Sequence, residues 1–327
     1  MKLKGKKILF FAPAFFGYEK KIAEKMIELG AEVDFYDERS ITNSYEKAFL
    51  KISPVIFSRK SKNYYQEILD KKKDVQYDYV FIIKCEMMPI EIINKMNKMF
   101  EQAVFCLYLY DSLANIKGIE RKLEYFDRVL SFDMQDVEAY PSMIFRPLFF
   151  LDEYQTEFKE NSDFEYDVSF IGTIHSDRYK VVKEIKASTD KHYLYCYLQS
   201  KFMYYYYKIT KSEFRDTNIK DFKFEKISSS EISRVIDKTK IVLDVQHPKQ
   251  SGLTMRTIEM IGMHKKLITT NASIVNYDFY HPNNIAVIDR ENILLPKVFF
   301  DLPHVEIEHT IYEKYSLKNW IIDVLGA

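Results

Sequence analysis

The stretch 7–36, KILFFAPAFFGYEKKIAEKMIELGAEVDFY, decides the fold. It opens with Lys7–Ala12, a continuous apolar run closed by Pro13, as a strand covered on both faces requires. Residues 18–29 place Ile22, Met26 and Leu29 at helical spacing, and Gly30 follows as a stop signal. Residues 32–36 (EVDFY) then alternate as a second strand. Strand, helix and strand within ~30 residues make the βαβ unit of a parallel sheet.

The pattern recurs downstream. Residues 79–84 (YVFIIK), 103–110 (AVFCLYLY) and 128–132 (RVLSF) read as strands, with helices predicted over 89–99 and 135–140. An acidic, irregular stretch follows Arg146-Pro147-Leu148 and runs to Glu165. Strands resume at 167–171 (DVSFI), 193–198, 241–245, 266–269 and 285–288, alternating with helices over 178–187, 229–238 and 254–263. Residues 312–325 form a closing helix. The expected fold class is therefore α/β, in two successive halves: 1–150, a linker at 151–165, 166–311, and a closing segment 312–327. The tyrosine-rich cluster 202–207 is read as an amphipathic surface covering the core.

Composition narrows the function. Of 327 residues, 48 are basic and 48 acidic, which argues against a nucleic-acid protein held by a global basic field. Only 10 of the basic residues are Arg, so an Arg near a ligand end is informative. Eight glycines leave no Gly-rich phosphate loop: the turn after the first strand, Ala12-Pro13-Ala14-Phe15-Phe16-Gly17, is not GxGxxG, and no Walker motif exists. A nicotinamide oxidoreductase, for which Asp37 and Glu38 would be the ribose acids, is disfavoured accordingly. Three scattered cysteines make no disulfide framework and suit a reducing cytoplasm. No apolar run approaches the ~18 residues of a membrane span. The lysines at 2, 4, 6 and 7, beside exposed aromatics, would suit peripheral contact with anionic lipid at the inner face of the plasma membrane.

Ligands of open parallel sheets bind beyond the carboxyl ends of the strands. That rule selects Glu86 and Asp111 in the first half, and Gly172, Thr173, His175 and Arg178 in the second. It also selects the stretch QHPKQSGLTMRTIEMIGMHKKLITTN at 246–271. There Ser251, Gly252 and Thr254 open a helix whose first N–H groups would attract a phosphate. Arg256 opposes the helix dipole, so it is misplaced for stability but suited to grip a diphosphate. Glu259, one turn deeper, would accept hydrogen bonds from a ribose diol; the plainer alternative is an exposed intrahelical ion pair. For His175 and Arg178 the alternative is a helix start capped by Asp177. All seven histidines lie in the second half, with no metal-binding spacing. A base in the first half must therefore be a carboxylate, Asp111 ahead of Glu86 because Ser112 and Asn115 adjoin it. The alternatives are a helix cap for Asp111 and a solvated loop acid for Glu86. Lys84, inside an apolar strand, is either a buried cation needing a carboxylate or an edge residue.

These residues resemble a family. VSFIGT…R at 168–178 and SGLTMRTIEMIGMHKKLITTN at 251–271 are similar to the donor-binding domain of GT-B glycosyltransferases, closest to the CgeB-like, capsule and lipopolysaccharide biosynthesis branch. LYLYDSLANI at 107–116, YFDRVLSFDMQDVEAY at 125–140 and FRPLFF at 145–150 resemble that branch's first domain. The resemblance implies two Rossmann-like domains facing a cleft, a nucleotide-diphosphate sugar held by the second, and a saccharide or lipid-linked acceptor on the first. The last helix would cross back to the first domain, and residues 224–230 would contact the nucleobase. It places Glu259 at the ribose and Arg256 with Thr254 at the diphosphate. Many retaining members carry two glutamates seven residues apart, and here the first position is Ser251. The expectation is thus a cytoplasmic, inverting, metal-independent transferase needing no cofactor. A non-catalytic scaffold or sugar-nucleotide sensor on the same fold is the alternative.

Overall fold

The computed structural model describes residues 2–39, 54–158, 163–175, 177–248, 251–294 and 297–327. The chain divides into two compact units, Met1–Pro147 with Leu317–Ala327, and Leu148–Ser316.

The first unit is a parallel sheet of β1 (Lys7–Ala12), β2 (Glu32–Asp37), β3 (Tyr79–Ile83), β4 (Val104–Leu109), β5 (Arg128–Ser131) and β6 (Ile144–Phe145). Their order is β2-β1-β3-β4-β5-β6, so the winding reverses between β1 and β3. The apolar runs read in the sequence are buried on both faces: Ile8, Leu9 and Phe10 of β1 are fully enclosed, and Phe10 stacks on Phe81 of β3. The helix Leu317–Leu325 completes this core. Its Trp320 is fully buried, with the ring 4.7 Å from that of Tyr108. Asp323 pairs with Arg146 at 2.9 Å, and Arg128 donates to the carbonyls of Asp323 and Val324.

The second unit is a parallel sheet of β7 (Tyr166–Thr173), β8 (His192–Tyr197), β9 (Phe222–Lys223), β10 (Thr239–Asp244), β11 (Lys266–Thr269) and β12 (Ile285–Val287). Its order is β12-β11-β10-β7-β8-β9, the dinucleotide-fold order, with the reversal between β7 and β10.

Three expectations change. The strand expected to end at 171 runs on as β7 through Gly172 and Thr173, because β8 extends far enough to pair with both, at Cys196 and Tyr197. Residues 151–165 are not a free linker. Leu151 and Tyr154 are buried in the second unit, and Asp152–Tyr154 forms a 3-10 turn against the helix Met255–Gly262; residues 159–162 lie outside the described ones. The closing helix is broken into His309–Lys314 and Leu317–Leu325, because the Tyr315 carbonyl accepts the Phe150 N–H instead of continuing the helix. The cluster 202–207 is the amphipathic surface expected: it lies on the helix Lys201–Thr210, with Tyr204 buried and Tyr207 packed against the core while Phe202, Tyr205 and Tyr206 face water.

Candidate functional site

In the second unit, the winding reversal brings the carboxyl ends of β7 and β10 side by side, which is where an open α/β sheet forms its crevice. Arg178 bridges the two ends. Its Nε donates to Val245 O at 2.5 Å and its Nη1 to Thr173 O at 3.0 Å, while Nη2 has no hydrogen-bond partner among the described residues. Gly172 stands against this guanidinium, Nη1 lying 3.6 Å from where a Cβ would be. His175 follows β7 and His247 follows β10, their rings 5.4 Å apart. Burial first, then Arg178 and His247, push the His175 pKa down to about 4, so its ring is neutral near pH 7.

The loop after β10 is built to present its backbone. Asn271 and Ser273, beyond β11, donate to the carbonyls of Ser251 and Gly252. Because peptides are trans, the amides of Gly252 and Leu253 are turned the opposite way. Thr254 caps the helix Met255–Gly262 by accepting the Thr257 N–H, and its hydroxyl donates to buried Asp244 at 2.8 Å. The Thr254 side chain is thus committed inside the protein. Asp244 also accepts from Thr257 Oγ1 at 2.7 Å, and its charge acts on Arg178.

Arg256 and Glu259 do form an ion pair, at 2.9 Å, but not a solvated one: their side chains are 21% and 5% exposed. The pair lies against Tyr154, whose hydroxyl is pushed up in pKa by burial and then by the Glu259 charge.

The Asp177 side chain does not cap its helix; both of its oxygens accept from Nη1 of Arg290. Arg290 also reaches Gln246 O and Thr270 Oγ1, so one side chain ties the segments after β7, β10, β11 and β12 together. Arg290, Asp244, Asn271 and Ser273 escaped the sequence reading. Only their positions at or just beyond strand ends could have singled them out.

In the first unit, a cavity of about 120 Å³ opens at the β1–β3 reversal, lined by Phe15, Tyr18, Glu19, Arg39, Lys84, Tyr110 and Asp111 among others. Asp111 Oδ1 accepts from Ser112 N and Asn115 Nδ2, so the cap-like bonds and the cavity position coexist. Lys84 Nζ lies 3.5 Å from Asp111 and 3.3 Å from Glu86. Glu86 is exposed and outside the cavity lining. Lys84 and Cys85 both have positive φ, 73° and 55°, a costly pair for non-glycine residues. The strained turn is held from below. Lys122 donates to the carbonyls of Cys85 and Glu86, and fully buried Glu38 accepts the Met87 N–H at 2.6 Å. The other Glu38 oxygen is buried without a partner, and burial raises the Glu38 pKa to about 7. Glu19 accepts the Phe15 N–H at the same cavity. Among the described residues no three His, Cys, Asp or Glu side chains group as metal ligands.

No protein-family model and no curated protein sequence matches the chain. Solved structures match along nearly its whole length. It is similar to the lipopolysaccharide outer core galactosyltransferase WaaB in its apo form, at 15% identity and TM-score 0.55, covering 98% of this chain and 99% of that one. It is similar to Anabaena HepE in complex with UDP-glucose, at 9% identity and TM-score 0.61, covering 98% of each chain. It is also similar to UDP-GlcNAc 2-epimerase from Neisseria meningitidis bound to UDP-GlcNAc, at 10% identity and TM-score 0.52, again covering 98% of each. Together with the two six-stranded parallel sheets, these likenesses establish the α/β fold of the GT-B type.

Proposed function

We propose that this chain is a nucleotide-sugar-dependent hexosyltransferase of the CgeB-like, capsule and lipopolysaccharide branch. It would act in surface-polysaccharide synthesis at the cytoplasmic side of the membrane, on a saccharide or lipid-linked acceptor. The observation that carries the reading is the Arg256–Glu259 pair: a cation in a first helical turn, against the dipole, paired with a nearly buried carboxylate.

The donor diphosphate would lie at the Gly252 and Leu253 amides and the start of the Met255–Gly262 helix, beside Arg256 and the Nη2 of Arg178. Glu259 would hold the ribose. His175, neutral at the crevice, would accept or donate one hydrogen bond without adding charge. As the sugar–phosphate bond breaks, negative charge grows on the leaving diphosphate, and these fixed donors stabilise it without a metal. Asp111 would take the acceptor hydroxyl proton while that oxygen attacks the face opposite the leaving group, inverting the centre. Phe15, Tyr18 and Tyr110 offer the acceptor flat apolar surface. Glu86, exposed and outside the cavity, is the lesser candidate.

Lys84, shared between Asp111 and Glu86, favours a second reading: a donor-binding scaffold or sensor in which both acids are engaged by an ion pair. Calorimetry with UDP-, GDP-, CDP- and dTDP-sugars, followed by product analysis with and without acceptor, separates the two. Transfer expects donor binding and a glycosylated product lost in Asp111→Asn. Binding with no product supports the sensor. Conversion of donor without acceptor points to epimerase chemistry, and absence of donor binding refutes both readings.

A further inference from the structure

The helix Lys201–Thr210, KFMYYYYKIT, carries more apolar side chains than its unit can bury. Phe202, Tyr205, Tyr206 and Ile209 are 76%, 57%, 51% and 81% exposed. At ~100° per residue these four fall within an arc of ~100°, turned away from buried Tyr204. Single exposed apolar residues are ordinary. Four in register at i, i+3, i+4 and i+7 form a face that has its own partner.

Charge and side-chain type identify that partner. The helix carries Lys201 and Lys208 and no acidic residue. Lys201 is exposed and has no ion-pair or hydrogen-bond partner among the described residues. Just past the helix, the Lys211 ammonium sits 4.5 Å over the Tyr207 ring. Lys208 is turned inward onto Tyr204 and Thr217, so Lys201 and Lys211 are the cations beside the apolar face. A helix with these lysines and no acid of its own suits a surface dense in phosphate better than a cationic partner. Tyrosine settles at the boundary between lipid headgroups and acyl chains, apolar ring inward and hydroxyl at the headgroups, and phenylalanine and isoleucine beside it add wholly apolar surface. The helix is already folded and docked through Tyr204, so binding would carry no folding penalty. No helix among the described residues is long and apolar enough to cross a membrane.

We propose that this helix seats the second unit on an anionic bilayer, with Phe202, Tyr205, Tyr206 and Ile209 entering the headgroup–acyl boundary and Lys201 at the lipid phosphates. The inference is independent of sugar transfer and holds for any activity of the chain. Flotation of the full chain with vesicles tests it, comparing pure phosphatidylcholine with mixtures containing phosphatidylglycerol. The expected result is binding to the phosphatidylglycerol vesicles, weakened by salt, at least tenfold weaker in F202S/I209S and several-fold weaker in K201E. Both variants should keep the wild-type melting transition, because the substituted positions are exposed. Absence of vesicle binding overturns the proposal, as does equal binding by wild type and F202S/I209S. A concentration-dependent dimer abolished by F202S/I209S would reassign the face to a second copy of the chain.

Discussion

Glu38→Gln should flatten the pH dependence of stability in the first unit. Glu38 is fully buried at the end of β2, one oxygen bonded to the Met87 N–H and the other without a partner. Burial outweighs the opposing pull of that N–H and of Lys122, and raises its pKa from 4.5 to about 7. Between those values the folded chain keeps a proton that the unfolded chain has lost. Stability must therefore fall as pH rises through this window and level off above pH 7. A shift of that size corresponds to a total loss on the order of 3 kcal/mol, of which about 1 kcal/mol has occurred by pH 5. Glutamine keeps the acceptor for Met87 and does not titrate. Any offset from burying its amide is the same at every pH, so the slope isolates the ionisation. Urea unfolding at pH 5, 6, 7 and 8 is the assay, with the variant-minus-wild-type difference rising by about 2 kcal/mol across the series. Parallel profiles would show that Glu38 is not the proton carrier, and the account of the Lys84–Met87 turn resting on it would fail.

Other expectations are more direct. Arg256→Ala should weaken donor binding by roughly 10- to 100-fold in calorimetry, the worth of a charge-assisted phosphate contact, whereas unchanged affinity removes Arg256 from the site. Asp111→Asn should lower turnover by ~10²–10⁴ while donor affinity holds; a parallel loss of affinity would make Asp111 structural. Gly262→Ala should destabilise the second unit by about 1–3 kcal/mol, because the new Cβ would fall 2.7 Å from Phe150 Cγ and 2.8 Å from the Tyr154 carbonyl oxygen. Denaturant melts that match wild type would show that the backbone there yields. Trp320→Ala should cost about 3–5 kcal/mol in the first unit, read by the same melts, since its indole is enclosed against Tyr108 and Phe81.

The parallel sheets were legible because doubly covered strands leave unmistakable apolar runs, such as Lys7–Ala12 and Tyr79–Ile83. The positions of Arg178, Arg256 and Glu259 were legible because ligand ends of strands and first helical turns can be counted along the chain. What stayed hidden depends on partners distant in sequence. Asp177 looks like a cap until Arg290 arrives from 113 residues away. Glu38 has the position of a ribose-binding acid at the end of its strand until Tyr65 and Met87 close over it. The amphipathic character of 202–207 was legible, but which tyrosines face the core was not, because tyrosine is equally at home facing in or out and only the orientation of the helix decides. The break at Tyr315 was invisible because it rests on one backbone bond from Phe150.

The return of Leu317–Leu325 to the first sheet has a bearing on biosynthesis. On a ribosome, the amino-terminal unit lacks Trp320, Ile321 and Val324 until the whole of Leu148–Ser316 has been made. The second unit, contiguous in the chain, can mature first, while the earlier-translated strands wait with one flank uncovered. Nascent chains halted before Leu317 would then present that apolar flank to chaperones, and supplying the missing helix as a separate peptide should rescue them.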